Sequence, residues 1–420
     1  MRTLQMRRCF REVDVRAGDG VDMVRLSVSM HSGVVPRTGF EEKGQAADDL
    51  SNHKQCWAGD VVLNRMRAFQ GALGIAPEHG IVSPDYAVLR SSAEVEARFL
   101  TYAMKSDWFV GQMTQRLRGI GSPSLGSVRT PRINVEDLGD IRLPVPALEQ
   151  QRRIADFLDD QVARIDRIFE ARSCQSAELE RIVQRLCLDA ISGANVVGPR
   201  RASGIDWVQD IPDSWLVVSV GAAYSVMLGK MLDESRFTGQ HVLPYLRNTN
   251  VQWDRIDTSD LKTMDIAPGE RGRFSVKPGD LLICEGGQPG RCAVWDGSIE
   301  EIGYQKALHR ARARAGNHVG WLQNVLRSAV ALDVFGGPTG QTTIGHLTGE
   351  QLREFKIPLP DPATQKLLVD EFADNRLQAS AAVSAIEKSM ALLAEYKRSL
   401  ITAAVTGELD VTTARSGVAV

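Results

Sequence analysis

One stretch of the chain occurs twice. Residues 141–160 read IRLPVPALEQQRRIADFLDD, and residues 355–374 read FKIPLPDPATQKLLVDEFAD. The second copy lies 214 positions after the first (141 to 355), so Pro144 meets Pro358, Pro146 meets Pro360 and Gln151 meets Gln365. The offset still holds at the far end, where AISG (190–193) meets AVTG (404–407). An ungapped repeat of this length is one structural unit used twice.

Each copy predicts a proline-bearing edge strand that leads into a long helix. Proline lacks an N–H and is confined to sheet edges and strand ends, which suits IRLPVP and FKIPLP. Leu158, Ile165, Leu179 and Leu186 stand on a seven-residue ladder with Arg172 between them, and Ile154, Ile168 and Ile182 on a companion ladder. This heptad seam predicts a helix over 147–192, closed by Gly193. In the second copy Phe372, Ala379, Ile386, Leu393 and Leu400 make the matching ladder, Asp361-Pro362 opens the helix and Gly407 ends it. Each helix would be roughly 65–70 Å long at 1.5 Å per residue. Each would expose an apolar seam if left alone, so the two are expected to pack on each other antiparallel.

The segments before the helices read as mixed α/β domains. AGDVVLNRMR (58–67) parallels PGDLLICEGG (278–287), and VSPDYAVLRSSA (82–93) parallels IGYQKALHRARA (302–313), both read at an offset of 220 (58 to 278). EVEARFLTYAMKSDWFVGQMTQRL (94–117) and NHVGWLQNVLRSAVAL (317–332) then read as equivalent helices. The expected fold class is α+β, a tandem duplication ordered domain, helix, domain, helix. Its domains cover 1–146 and 194–360, with 194–204 as a linker. Its helices cover 147–193 and 361–407, and a tail covers 408–420.

Composition narrows the class. The net charge of −2 and pI near 6.4 show no overall basic excess of the kind a free-standing DNA binder carries. Six scattered cysteines form no CxxC pair and the seven histidines no HxH or HExxH group, which fits a reduced cytoplasm and no metal site. No apolar run is long enough to cross a bilayer, and the basic N-terminal stretch has no apolar block behind it. Catalytic motifs are missing too. LPDP (359–362) is not the Asn/Asp-Pro-Pro-aromatic tetrad of a DNA methyltransferase, and no glycine-rich cofactor loop follows an apolar strand. GGPTGQTT (336–343) lacks the lysine of a phosphate cradle. Asp85 reads as a turn residue. The chain is expected to have no catalytic centre and to bind no cofactor or metal.

What remains is a set of guanidinium and amide groups on predicted loops. In the first half these are Asn64, Arg65, Arg67 and Gln70, then Arg116 and Arg118, then Arg129 and Arg132. In the second half they are Arg247, Asn248 and Asn250, then Gln288 and Arg291, then Gln305, Lys306, His309 and Arg310. Arginine with asparagine or glutamine is the pairing that reads guanine and adenine edges bidentately, while arginine and lysine alone serve phosphates. An arginine-rich loop is also an ordinary solvated face. Its recurrence in both halves favours the binding reading.

With these residues in hand, the sequence resembles the DNA-specificity subunits of type I restriction-modification systems. The resemblance is carried by IRLPVPALEQQRRIADFLD, FKIPLPDPATQKLLVDEF, GIDWVQDIPDSW (204–215), LSVSMHSGVVPR (26–37) and TTIGHLTGEQLREFKIPLP (342–360). It implies two target-recognition domains, each reading half of a bipartite site on double-stranded DNA, and two long helices forming an antiparallel coiled coil. It implies a non-catalytic chain that recruits two modification subunits and, through them, restriction subunits. S-adenosylmethionine, ATP and Mg would sit on those partners. Ile154, Leu158, Ile165, Leu179, Leu186, Phe372, Ile386 and Leu393 mark the helices expected to dock them. The proline-tryptophan segment IPDSW has no counterpart before the first domain, and Ala363-Thr364 replaces Glu149-Gln150. The rival expectation is a coiled-coil scaffold or decoy subunit that no longer reads DNA.

Overall fold

The structure, a computed structural model, describes residues 2–18, 23–30, 32–37, 50–118, 131–232, 238–335 and 346–411. It divides into two compact units, residues 1–173 with 387–420 and residues 174–386.

The first unit is built on a four-stranded antiparallel sheet. Its strands are β2 (Phe10–Glu12), β3 (Val61–Asn64), β4 (Leu73–Ile75) and β5 (Tyr86–Ser91), in the order β2-β5-β3-β4. Side chains alternate across a strand, and both faces of this sheet are covered. Val61, Leu63, Ala87 and Leu89 join the main core, while Val62 and Val88 join a second cluster with Leu26 and Cys56. Helix α1 (Ala97–Lys105) lies on the main-core side through Phe99, Leu100, Ala103 and Met104, and the Glu96 carboxylate caps it by accepting from Phe99 N–H. Strand β1 (Arg2–Gln5) pairs with the proline strand β6 (Arg142–Val145) in a separate two-stranded ladder, as an edge strand must. Helix α2 (Leu148–Ser192) follows directly.

The second unit repeats this plan. A hairpin of β7 (Arg200–Ile205) and β8 (Val208–Pro212) comes first. Residues 200–204 are therefore strand, where the sequence reads as linker. Arg200 explains the order: its guanidinium donates to the carbonyls of Ser192, Gly193 and Asp210, satisfying the end of α2 and tying the hairpin to it. The main sheet consists of β10 (Tyr224–Leu228), β13 (Leu281–Cys284), β14 (Cys292–Val294) and β16 (Leu308–Ala313), in the order β10-β16-β13-β14. Strand β9 (Leu216–Ser219) pairs with the second proline strand, β17 (Lys356–Leu359). A three-stranded sheet of β11 (Val242–Leu246), β12 (Lys262–Asp265) and β15 (Gly303–Tyr304) has been added. Helix α3 (Val319–Ala331) takes the place of α1.

The registers fix the equivalence residue by residue. Val61 pairs with Leu89 and Leu281 with Ala311, so β3 maps to β13 at 220 but β5 maps to β16 at 222. The uniform offset of 220 read from the sequence is corrected by two residues after β13. Each unit also braces its sheet with the same buried carboxylate. Asp60 accepts from Trp57 N–H and from Arg90 in a two-pronged pair at 2.7 and 2.8 Å. Asp280 accepts from Lys277 N–H and from Arg312 at 2.6 and 2.7 Å. The glycine before each aspartate holds a positive φ, +91° at Gly59 and +85° at Gly279, a conformation that only glycine adopts freely.

Helix α4 (Pro362–Thr406) is 45 residues long, as is α2. Asp361 caps it by accepting from the N–H groups of Ala363 and Thr364. Gly193 and Gly407 close the two helices at φ +64° and +83°. In the first unit the N-terminal part of α2 packs Ile154, Leu158 and Ile165 into one core with Leu400, Ile401 and Ala404 of α4, and Lys397 pairs with Asp166 at 2.6 Å. In the second unit Ile191 of α2 shares a core with Leu368 of α4. Start meets end in both, so the helices run antiparallel. The seam thins toward the interior of α2: Leu179 and Leu186 are half-buried, and Ile182, expected on the companion ladder, is exposed. Among the described residues no helix is long and apolar enough to cross a membrane.

Candidate nucleic-acid interface

In the first unit the expected residues gather around the β3–β4 turn. Asn64 ends β3, and its Oδ1 accepts from Met66 N–H, which shapes the turn. Arg65 is used internally, donating to the carbonyl of Ile133 and to Asn134 Oδ1. Ile133 N–H donates back to the Arg65 carbonyl. Next to this, Arg118 and Arg132 exchange both backbone hydrogen bonds, so the segments after α1 and before β6 are stitched together beside the turn. Arg67, Gln70, Arg118 and Arg132 are exposed. Arg118 pairs with Asp137, which raises its already high pKa through that hydrogen bond, and Arg116 donates to Gln112. Arg129 lies outside the described residues.

In the second unit the equivalent turn, between β13 and β14, carries Gln288 and Arg291. Arg291 donates to the backbone carbonyl and Oδ1 of Asn248, and Asn248 Nδ2 donates to the Gly286 carbonyl, so two loops distant in sequence are joined. Gly287 sits at φ +75°, a conformation that favours glycine, and a Cβ there would lie 3.1 Å from Asn248 Nδ2, a tight contact. Gln305 and Lys306 form the turn before β16, held by Gln305 N–H on the Leu246 carbonyl and Lys306 N–H on the Lys230 carbonyl. Gln288 and Lys306 are exposed. The guanidinium of Arg247 faces Asp260, whose own carboxylate is largely exposed.

Three expected readers are placed differently. Asn250 is buried, and its amide is consumed by Arg247 N–H and the carbonyls of Asp257 and Asp260. It shapes the loop. His309 and Arg310 lie inside β16, a central strand, where the sequence reads as loop. His309 is fully buried with Nε2 2.7 Å from the Leu347 carbonyl, and burial pushes its pKa below the ordinary value. Arg310 donates to the Ser275 carbonyl and stacks its guanidinium over Tyr304. Polar residues tolerate a sheet interior when such partners are ready-made.

Sequence reasoning missed a cavity of about 1060 Å³ in the second unit, lined by Lys230, His241, Tyr245, Lys262, Glu270 and Phe274 among others. Lys230 contacts Glu270, whose carboxyl is held below the usual range by that hydrogen bond. The added three-stranded sheet builds it, and its strands β11 and β12 have too little periodicity to stand out. No cluster of three or more His, Cys, Asp or Glu side chains able to hold a metal occurs among the described residues.

The helix residues are also partly reassigned. Ile154, Leu158, Ile165, Phe372 and Ile386 are buried, while Leu179, Leu186 and Leu393 are half-buried. Side chains already spent inside a unit cannot face a partner. The exposed apolar side chains of α2 and α4 are instead Ile182, Leu367, Leu377, Leu392 and Tyr396, with Leu377 72% exposed.

Comparison with known proteins agrees with this architecture. Residues 48–172 match the family model of the type I restriction modification DNA specificity domain. A chain from a type I R-M system, solved for its complex assembly and conformational transition, is 20% identical with a TM-score of 0.73. The match covers 97% of this chain and 98% of that one. The HsdS subunit from Thermoanaerobacter tengcongensis is 19% identical with a TM-score of 0.55, covering 97% of both chains. No curated protein matches the sequence. Residues 48–172 are thus similar to the type I restriction modification DNA specificity domain, and the chain shares the fold of these two solved structures along nearly its whole length.

Proposed function

We propose that this chain is the non-catalytic specificity subunit of a type I restriction-modification complex, reading a bipartite double-stranded DNA target in the cytoplasm. The observation that carries the reading is positional. Guanidinium and amide groups stand on the same turn of the same sheet in both units: Arg67 and Gln70, both exposed, after β3, and exposed Gln288 beside half-buried Arg291, which is held by Asn248, after β13. Arg118, Arg132, Asn248, Arg247, Gln305 and Lys306 flank those turns. Sequence-specific readers need bidentate arginine and amide donors for base edges, with further cations for phosphates.

In this reading α2 and α4, shared by both units, set the spacing of the half-sites. Two modification subunits dock on the outward faces of those helices, using Ile182, Leu367, Leu377, Leu392 and Tyr396. S-adenosylmethionine, ATP and Mg belong to the modification and restriction subunits. The acidic balance of this chain leaves much of the phosphate attraction to those partners.

The test is co-expression with the cognate modification subunit, followed by sequencing of methylated adenine across the genome. Methylation at a single motif made of two short half-sites around a constant spacer is the expected result. A complex that forms and yields no motif would establish the scaffold or decoy reading instead. Absence of any complex would remove the docking role of the helices.

A further inference from the structure

Gln151 and Gln365 occupy the same place in the two copies of the opening repeat, and both are fully buried. Gln151 Oε1 accepts from the N–H of Glu96, the residue that caps α1, at 2.9 Å. Its Nε2 donates to the carbonyls of Glu94 and Pro146, both at 2.9 Å. Gln365 Oε1 accepts from the N–H of His318, the residue that caps α3, at 2.9 Å. Its Nε2 donates to Asn317 Oδ1 at 2.9 Å and to the Pro360 carbonyl at 2.8 Å. One buried amide thus joins three things in each unit: the start of the domain helix, the end of the proline strand and the first turn of the long helix.

The surroundings of the two amides have diverged. Glu96 is matched by His318, and the Glu94 carbonyl is replaced by the Asn317 side chain. The amide and its geometry have not changed. Apolar packing between α1 and α2 brings these elements close, but it is non-directional and leaves their angle soft. Three hydrogen bonds from one planar group, in a site closed to water, are directional and have no aqueous substitute.

We infer that Gln151 and Gln365 are positioning residues that set the angle at which each recognition domain leaves its long helix, and hence the spacer length the protein accepts. The inference rests on the specificity-subunit reading for its consequence in DNA. A loosened junction lets a domain reach a half-site one base pair nearer or farther without changing which bases it reads.

The test compares adenine methylomes of the assembled complex carrying wild-type chain, Gln151→Met, Gln365→Met and the double variant. Methionine fills the volume and removes all three hydrogen bonds. The expected result is unchanged half-site sequences with methylation at spacers one base pair off rising about tenfold relative to the cognate spacer, and further in the double variant. Val62→Ala, a cavity in the sheet away from the junction, is the control for plain instability: it lowers total methylation and leaves spacer choice alone. Unaltered spacer choice in folded methionine variants, or equal broadening by Val62→Ala, overturns the inference. Gln→Asn at each site, which shortens the reach of the amide, carries the same expectation where a methionine variant fails to fold. If the wild-type complex yields no bipartite motif, it is the specificity reading that fails. The lock is then decided within the first unit by the distance distribution between spin labels at residues 70 and 150. That distribution is narrow in wild type and broadened in Gln151→Met, and equal widths overturn the lock.

Discussion

The two units share a frame and differ in almost everything fastened to it. Both sheets have the same strand order, the same aspartate brace and the same glycine turn. Yet Ala87 of β5 corresponds to His309 of β16, and Val88 to Arg310. The ties to the long helices differ as well. In the first unit Arg98 of α1 reaches Asp156 and Asp159 of α2 at 2.8 Å. Its counterpart in α3 is Gly320, where a Cβ would lie 2.8 Å from Val369 of α4. The second unit instead uses Asp254, held at φ +63°, to join Arg327 of α3 and Arg376 of α4. Groups that define the backbone path are kept, and groups that only add attachment are free to move. This is the behaviour expected of a duplicated domain whose two copies keep one architecture while their surfaces vary.

If the frames are equivalent, the aspartate braces should be worth the same. Asp60→Ala and Asp280→Ala each remove two charge-assisted hydrogen bonds and one turn bond, and each should cost about 3 kcal/mol. The arginines left behind are over a third exposed and keep some hydration, which holds the cost at that level. Hydrogen exchange read separately over β3–β5 and β13–β16 checks this. A cost confined to one unit would break the equivalence.

The ties should be unequal. Asp254→Asn keeps a residue type that tolerates left-handed backbone but removes the charge facing Arg327 and Arg376. Both arginines are mostly buried, and Arg327 also stacks on Trp253 at 4.4 Å. The expected loss is about 2 kcal/mol, seen as faster exchange in α3. Arg98→Gln breaks the ties to Asp156 and Asp159 of α2, whose carboxylates are more exposed than that of Asp254, together with the local pair to the Glu96 cap, and about 1 kcal/mol is expected over α1. Equal costs would mean that burial of the ion pair does not govern the strength of the attachment.

Much of this was legible because it is local. Proline strands, heptad ladders and terminal glycines each act over a few residues, so both 45-residue helices could be read directly. The turns after β3 and β13 were legible for the same reason, as glycine and arginine clusters bounded by apolar strands. What escaped depends on partners distant in sequence. HRARA looks like a surface run until Ser275, Tyr304, Leu347 and Asp280 are brought around it, which makes β16 a buried strand. The two-residue shift after β13 shows only in the ladder registers. Gln151 was legible as a repeated letter, but its role needs Glu96, some fifty residues earlier, to be in place.

The smallest effect sharpens the comparison most. His309 is buried in the second unit where the first has Ala87, so only the second unit should respond to mild acid through this site. Its Nε2 is satisfied by the Leu347 carbonyl, and Nδ1 has no partner among the described residues. Protonation would place a charge at that nitrogen away from water, which is why the pKa is lowered in the fold. The nearby charges of Glu285, which raises it, and Arg353, which lowers it, are weaker than burial. The unfolded chain takes up the proton near the ordinary value of 6.5, and the folded chain does so only at lower pH. The stability contribution is therefore complete above pH 6.5 and lost as pH falls toward the folded value. The loss is at most about 1.4 kcal/mol for each pH unit in that window. His309→Gln keeps a donor for Leu347 and cannot titrate. It should flatten the acid slope of hydrogen exchange in β13–β16 between pH 6.5 and about 5, above the range where carboxylates protonate. The β3–β5 sheet should show no such slope in either protein, and a slope that survives the substitution would assign the acid response to another group.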